Sequence, residues 1–120
     1  MPEMRIRPVG FVTGSPEDAS RTIQISPEFE EGLLRIEHCE HLWVLFWMHA
    51  LPEEDRQVLQ VHPRGDRDRP LTGVFATHSP MRPNPIGMTR AKLVRREGLR
   101  LVVEGLDAFD GSPVIDLKSG

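Results

Sequence analysis

Proline and glycine interrupt this sequence so often that they decide which architectures it can adopt. The 120 residues include eleven prolines and ten glycines. Proline breaks a helix because it lacks the backbone N–H and its ring clashes with the preceding turn, whereas both residues favour turns. The sequence therefore disfavours a helical bundle and favours short strands joined by shaped loops.

The length and composition are those of a single globular domain spanning residues 1–120. Charged residues account for 28% and hydrophobic residues for 38% of the chain, which argues against disorder and against a membrane protein. The longest apolar run, Leu42 to Met48, has seven residues, whereas a bilayer span needs about 20. Because the N-terminus shows no apolar signal segment and Cys39 is the only cysteine, we expect a cytoplasmic protein without disulfides.

Charge is distributed unevenly along the chain. Residues 62–100 contain nine Lys or Arg and three Asp or Glu, a net charge of +6. Residues 1–61 carry −6 and residues 101–120 carry −3. A basic block of this size is typical of a surface that meets phosphates, and it is equally compatible with a solvated arginine-rich surface.

Apolar stretches between the breakers predict about seven short strands and one short helix. Ser26 is a suitable cap and Pro27 a suitable first residue for the helix, which is expected to end near His38. The fold class is therefore mainly β, a small antiparallel β-barrel. The candidate strands are 6–12, 23–25, 42–48, 58–61, 73–77, 86–94, 99–104 and 114–117.

The strand candidate 42–48 is apolar on both faces. Such a strand is buried on both sides within one chain, or on one side by a partner subunit. In so small a domain little is left to cover the second face, so we predict a homodimer.

Two loops carry the residues that are candidates for binding or catalysis. Residues 77–87 hold three prolines that fix the backbone and lower the entropic cost of binding; the same rigidity also suits a structural crossover. Residues 106–113 hold Asp107 and Asp110, which suit either ligand hydroxyls or a basic group, or a local turn.

Other motifs exclude several function classes. The chain has no P-loop, no nucleotide-binding GxGxxG after a strand and no GxSxG, so an ATPase, a Rossmann enzyme and an α/β-hydrolase are disfavoured. His38 and His41 form only a weak metal pattern, and we expect no metal site.

Several segments of the chain resemble the TsaA-like (TrmO-type) family of S-adenosylmethionine-dependent tRNA methyltransferases. They follow the family's order over nearly the whole chain. The matching segments are 8–10, 41–49, 62–65, 73–87 and 105–118.

The resemblance implies a mostly β barrel, S-adenosylmethionine as cofactor, tRNA as partner and a homodimer with the cofactor near the subunit interface. It also implies methylation of N6 of threonylcarbamoyladenosine next to the anticodon. The basic block fits such a substrate, because RNA binding needs phosphate neutralisation.

The resemblance also assigns candidate site residues. Arg82, Asn84 and Arg64 match positions that support the loop or touch substrate. A general base would assist the weakly nucleophilic acceptor, and His49, His78 and Asp110 all remain candidates. The implied cofactor-binding residues are His49, Ala50, His78, Met88, Asp107, Ala108, Phe109 and Asp110.

Two departures from the family pattern leave alternatives open. Position 78 is histidine where the motif has arginine, which replaces a permanent charge by a titratable one. The loop 13–22 is shorter than the cofactor-contacting segment of bacterial relatives. An S-adenosylmethionine-binding module without tRNA methylation, acting on a small molecule or as a sensor, is the main alternative. A plain nucleic-acid-binding barrel is disfavoured by the 6% aromatic content, since single strands need stacking platforms.

Overall fold

Within residues 2–120, the computed structural model has eight β-strands, of which six close into an antiparallel barrel. The barrel order is β1-β2-β7-β6-β3-β8, and β4 and β5 form a separate two-stranded sheet. The predicted fold class, mainly β with a small antiparallel barrel, is confirmed. The strands are β1 (Gly10–Thr13), β2 (Ser20–Ile25), β3 (His41–Trp47), β4 (Gln60–Val61), β5 (Thr72–Gly73), β6 (Ile86–Glu97), β7 (Arg100–Glu104) and β8 (Pro113–Ser119).

The predicted helix is present, but as two 3₁₀ segments. The first begins at Pro27, and the second ends at His38, as expected. Arg35, with φ of 69°, interrupts the region, and 3₁₀ geometry is common in pieces this short. None of the helices in residues 2–120 is long and apolar enough to cross a membrane. The 3₁₀ segments are Pro27–Leu33, Ile36–His38, Glu53–Gln57, Pro63–Gly65 and Val74–Ala76.

Several strand boundaries differ from the sequence prediction. β1 begins at Gly10 instead of residue 6, because Pro8 has no N–H to donate to a neighbouring strand. Residues 74–76 form a 3₁₀ turn where a strand was expected. The β6–β7 hairpin is longer than predicted and turns at Gly98 with φ of 62°, as its glycine indicated.

The two apolar faces of β3 have different surroundings in the structure. Leu42, Val44 and Phe46 point into the barrel and are buried. The alternate residues Trp43, Leu45 and Trp47 are only half-buried on the outer face. One face therefore packs in the core, and the other forms an apolar strip on the outside of the barrel.

Closure of the barrel depends on β8, the last strand. β8 pairs with β1 on one side and with β3 on the other. Gly10 in β1 faces both Ile25 of β2 and Val114 of β8. A side chain at position 10 would overlap the main-chain carbonyl of Gln24, so this close approach of the strands requires glycine.

We predict that Gly10→Ala lowers the stability of the barrel by about 1–3 kcal/mol, because the added methyl group forces β1 and β2 apart. Thermal unfolding followed by circular dichroism measures the effect. Gly32→Ala is the matched control, since an added methyl group there meets nothing within 4 Å. Equal melting temperatures for the two variants would contradict this role of Gly10.

Candidate functional site

A cavity of about 390 Å³ opens where β3 ends and β8 begins. Its volume lies in the range of small-molecule sites, about 300–1,000 Å³. Three segments build its wall: the end of β3 with the chain that follows, the proline loop, and the turn before β8. The lining residues are Phe46, Met48, Ala50, Leu51, Pro52, Pro80, Asp107, Ala108, Phe109 and Ser112.

The floor of the cavity depends on a close contact between β3 and β6. Phe46 is 6% exposed, and its neighbour across the ladder is Gly87. A methyl group on Gly87 would overlap the Phe46 ring. The glycine of the proline loop signature thus makes room for the aromatic ring beneath the cavity.

The turn 106–112 is fixed by hydrogen bonds from three other parts of the chain. Arg21 of β2 donates through Nη1 to the carbonyl of Leu106 at 2.7 Å. Thr89 of β6 donates through Oγ1 to Oδ1 of Asp107 at 2.6 Å. The main-chain N–H of Gly14 donates to Oδ1 of Asp110 at 3.0 Å. These bonds fix the wall of the cavity that carries Asp107, the one carboxylate among the lining residues that the structure describes.

Arg21 is the most unusual of these donors because its side chain is inside the barrel and 1% exposed. Nη2 donates to the carbonyl of Gly14 at 2.9 Å, so the guanidinium joins the loop after β1 to the turn. Within residues 2–120 its Nε has no hydrogen-bond partner, and no carboxylate lies within ion-pair distance. Two carbonyl groups therefore contact this buried cation directly and compensate its charge.

Arg82 fixes the shape of the proline loop from inside. Its guanidinium donates to the carbonyls of Ser79 at 2.8 Å, Thr77 at 2.7 Å and Val74 at 2.5 Å. These hydrogen bonds support the loop, and contact of Arg82 with substrate remains a prediction. The loop therefore enters the cavity wall, at Pro80, with its backbone already ordered.

A second arginine attaches the proline loop to the chain after β3. Arg56 donates through Nε to the carbonyl of Pro83 at 2.8 Å, and its guanidinium lies 5.3 Å from the centre of the Trp47 ring. The N–H of Met48 also donates to the carbonyl of Pro85 at 2.7 Å. Two walls of the cavity are thus held to each other.

Four of the predicted cofactor residues line the cavity: Ala50, Asp107, Ala108 and Phe109. The other four lie elsewhere. His49 is exposed between two lining residues, and His78 is exposed in the loop before Pro80. Asp110 is engaged with Gly14, and Met88 faces outward beside Leu45. For all eight residues a role in cofactor binding remains a prediction.

The predicted support residues are also dispersed. Arg64 lies in the exposed segment Pro63–Gly65, with φ of 57°, and Asn84 is exposed in the proline loop. Sequence reasoning missed several lining residues, including Phe46, Leu51 and Ser112. Apolar residues at a strand end look like core in a sequence, and only the folded chain shows that one side of them is open.

The wall of the cavity is mostly apolar, and its charge is negative. Asp107 is the one ionisable residue among the lining residues of the described chain, and no Lys or Arg lines it. Such a wall suits a ligand with apolar and aromatic parts and a positive charge, and it disfavours phosphate groups. Residues 2–120 contain no group of three or more His, Cys, Asp or Glu that could hold a metal ion.

Comparison with known families gives one match that spans most of the chain. The model described as the tRNA-methyltransferase O N-terminal domain matches residues 12–119. The crystal structure of TrmO from Pseudomonas aeruginosa superposes with a TM-score of 0.74 at 29% identity. That match covers 100% of this chain and 55% of the solved chain.

Curated relatives agree with this match. A probable S-adenosyl-L-methionine-binding protein from Methanocaldococcus jannaschii is 40% identical over 94% of this chain and 89% of its own length. One with the same description from Archaeoglobus fulgidus is 50% identical over 80% of this chain. A mouse tRNA (adenine(37)-N6)-methyltransferase is 40% identical over 74% of this chain. The chain spans only 25% of the Archaeoglobus relative and 20% of the mouse relative.

We predict that Arg82→Met loosens the proline loop. Losing its three hydrogen bonds raises amide exchange at Ser79 and Met81 on the order of tenfold, because local opening becomes easier. Hydrogen–deuterium exchange measures this, with Arg67→Met as the control at an exposed arginine. Unchanged exchange at both amides would show that the prolines alone hold the loop.

Proposed function

This chain belongs to the family of tRNA-methyltransferase O N-terminal domains, and we propose that it binds S-adenosylmethionine in the cavity between β3 and β8. The proposed reaction transfers the methyl group to N6 of threonylcarbamoyladenosine in tRNA, next to the anticodon. The observation that carries the proposal is the cavity wall itself, which within residues 2–120 is an apolar surface with one carboxylate and no Lys or Arg.

The residues present fit this cofactor on several counts. The cavity has the volume of a small-molecule site, and Phe46 and Phe109 offer aromatic surface. Asp107 offers a carboxylate oxygen to a cation or to a hydroxyl group, and Ser112 adds a polar position. A nucleoside triphosphate would instead need donors or cations for its phosphates.

Bound S-adenosylmethionine supplies an activated methyl group on a positively charged sulfur. The protein's part is then to align donor and acceptor and to exclude water. The walls held by Arg21, Arg56 and Arg82 give this alignment a rigid frame. Asp107, Ala108 and Phe109 form the wall that would hold the cofactor.

A base near the cavity would accept the proton that the acceptor nitrogen loses. Asp110 already accepts a hydrogen bond from Gly14, which favours a structural role for it. His49 is exposed and lies directly between the lining residues Met48 and Ala50. Of the three candidates, His49 therefore has the position best suited to a substrate at the cavity mouth.

Charge and exposed aromatic surface support the proposed tRNA partner. Arg64 and Arg67 are exposed in the loop that joins β4 and β5, available to phosphates. Phe75 follows β5 and is 82% exposed, while the neighbouring carbonyl of Val74 is held by Arg82. An exposed aromatic ring suits stacking on an unstacked base.

The outer face of β3 and β6 supports the proposed homodimer. Leu45 faces Met88 across the ladder, and Trp47 faces Ile86. Met88 is 49% and Ile86 38% exposed, so the apolar strip extends from Leu45 and Trp47 onto β6. Arg90 lies opposite Trp43 on the same face, and Arg56 lies over the Trp47 ring. A second copy would cover this strip and bring Met88 to the subunit interface.

A binding module without tRNA methylation is the second candidate function. One reason is that His78 stands where the family motif has arginine. The other is that two relatives are described as probable S-adenosyl-L-methionine-binding proteins. Such a protein would use the same cavity for a small acceptor or for sensing the cofactor.

We predict that calorimetric titration detects S-adenosylmethionine binding that Ala50→Trp abolishes. Ala50 is exposed and lines the cavity, so a large ring there fills it without disturbing the core. Ala19→Trp, in the exposed loop before β2, is the matched control and should bind normally. Equal binding by both variants would place the cofactor elsewhere.

Incubation of the protein and the cofactor with tRNA separates the two candidate functions. Mass analysis of the digested tRNA should show threonylcarbamoyladenosine carrying one additional methyl group. The Ala50→Trp variant should yield none. Cofactor binding without methylated nucleoside would favour the binding module.

We predict that Met88→Glu converts a dimer to a monomer, because a charge in the apolar strip is costly to bury. Light scattering at micromolar concentration measures the mass. Phe11→Glu is the control, since Phe11 is 46% exposed on β1, away from the strip. A wild-type protein of 13.6 kDa only would contradict the homodimer.

A further inference from the structure

Asp107 has a special position in the cavity because it combines charge with a fixed orientation. It is the one ionisable lining residue of the described chain, among eight apolar neighbours and Ser112. The nearby carboxylate of Asp110 is bound to the N–H of Gly14 and does not line the cavity. The charge that a ligand meets on this wall is therefore the charge of Asp107.

Thr89 determines how the Asp107 carboxylate is presented. Thr89 shares the inward face of β6 with the buried residues Ala91 and Leu93. Its hydroxyl donates to Oδ1 of Asp107 at 2.6 Å, while Oδ2 receives no side-chain hydrogen bond from the described residues. Because strand β6 is rigid, the hydrogen bond restricts the rotation of the carboxylate.

We propose that Asp107, oriented by Thr89, makes the cavity selective for the charged methyl donor over the neutral product of the transfer. In the reaction the acceptor nitrogen forms a new N–C bond and loses a proton. The S–C bond breaks with its electron pair remaining on sulfur. The sulfur therefore changes from a cationic sulfonium to a neutral thioether, and this inference rests on the proposed function.

The consequence is discrimination by charge in addition to shape. Donor and product differ by one methyl group, which an apolar pocket senses through packing, and by one positive charge, which the carboxylate senses. A carboxylate close to a cation attracts it, and the attraction strengthens as the bound ligand displaces water from between the two charges. The same attraction disappears after transfer, which favours release of the product.

Calorimetric titration of the full chain with S-adenosylmethionine and with S-adenosylhomocysteine tests the proposal. The quantity of interest is the dissociation constant of S-adenosylhomocysteine divided by that of S-adenosylmethionine, which is high when the donor is preferred. Asp107→Asn keeps the shape and removes the charge, and it should weaken donor binding about tenfold while leaving product binding nearly unchanged. Asp116→Asn is the matched control at an exposed carboxylate on β8.

The role of Thr89 is tested by a conservative pair of variants. Thr89→Val keeps the branched shape and removes the donor, and it should reduce the preference for the donor by about threefold. Thr89→Ser keeps the hydroxyl and should restore the wild-type ratio. The melting temperatures of the wild type and the two Thr89 variants should be nearly equal. Asp107 is exposed, so water hydrates its carboxylate when the hydrogen bond from Thr89 is absent. Thr22→Val is the control on β2.

The outcomes are distinct. The proposal is supported if the ratio falls in Asp107→Asn and in Thr89→Val but keeps its wild-type value in Thr89→Ser. Equal weakening of donor and product by Asp107→Asn overturns it, since the carboxylate would then bind a hydroxyl or ammonium group that both ligands share. Binding of both ligands by the wild type with equal affinity overturns it as well. Binding of neither ligand by the wild type overturns the proposed function, and this inference with it.

Discussion

Closure of the barrel by its last strand is the constraint on which the rest of the structure depends. β8 joins β1 to β3, and Gly10 allows β1 to approach β2 closely enough for this closure. The turn 106–112 leads directly into β8, so closing the barrel also fixes the wall that carries Asp107. Closure of the barrel by β8 therefore contributes both to the stability of the fold and to the geometry of the cavity wall.

The arginines divide into structural and exposed groups with different roles. Arg21, Arg56 and Arg82 donate to main-chain carbonyls and hold loops at the end of the barrel. Planar guanidinium groups suit this work, because their several donors are fixed in one plane. The arginines of the β4–β5 loop remain exposed, and they account for part of the basic block. No arginine of either group is among the lining residues of the cavity in the described chain.

The cavity wall carries the negative charge of Asp107, whereas Arg21 is a positive charge buried inside the barrel. Arg21 forms no ion pair within the described residues, and the carbonyl groups of Leu106 and Gly14 compensate its buried charge. Its donors join the loop after β1 to the turn before β8. A less costly apolar residue at position 21 would fill the space, but it would leave two carbonyl groups without donors.

The sequence by itself determined the fold class, because the density of proline and glycine and the lengths of the apolar stretches leave few alternatives to short antiparallel strands. It also identified the two loops that form the site, since 77–87 and 106–113 stand out by composition and by family resemblance. Tertiary structure decided which residues face the cavity. Met88 lies outside it and Phe46 inside, because strand register sets the direction of each side chain. It likewise assigned Thr89, Arg21 and Arg82 to their partners, since hydrogen bonds between residues far apart in sequence exist only once the barrel has closed.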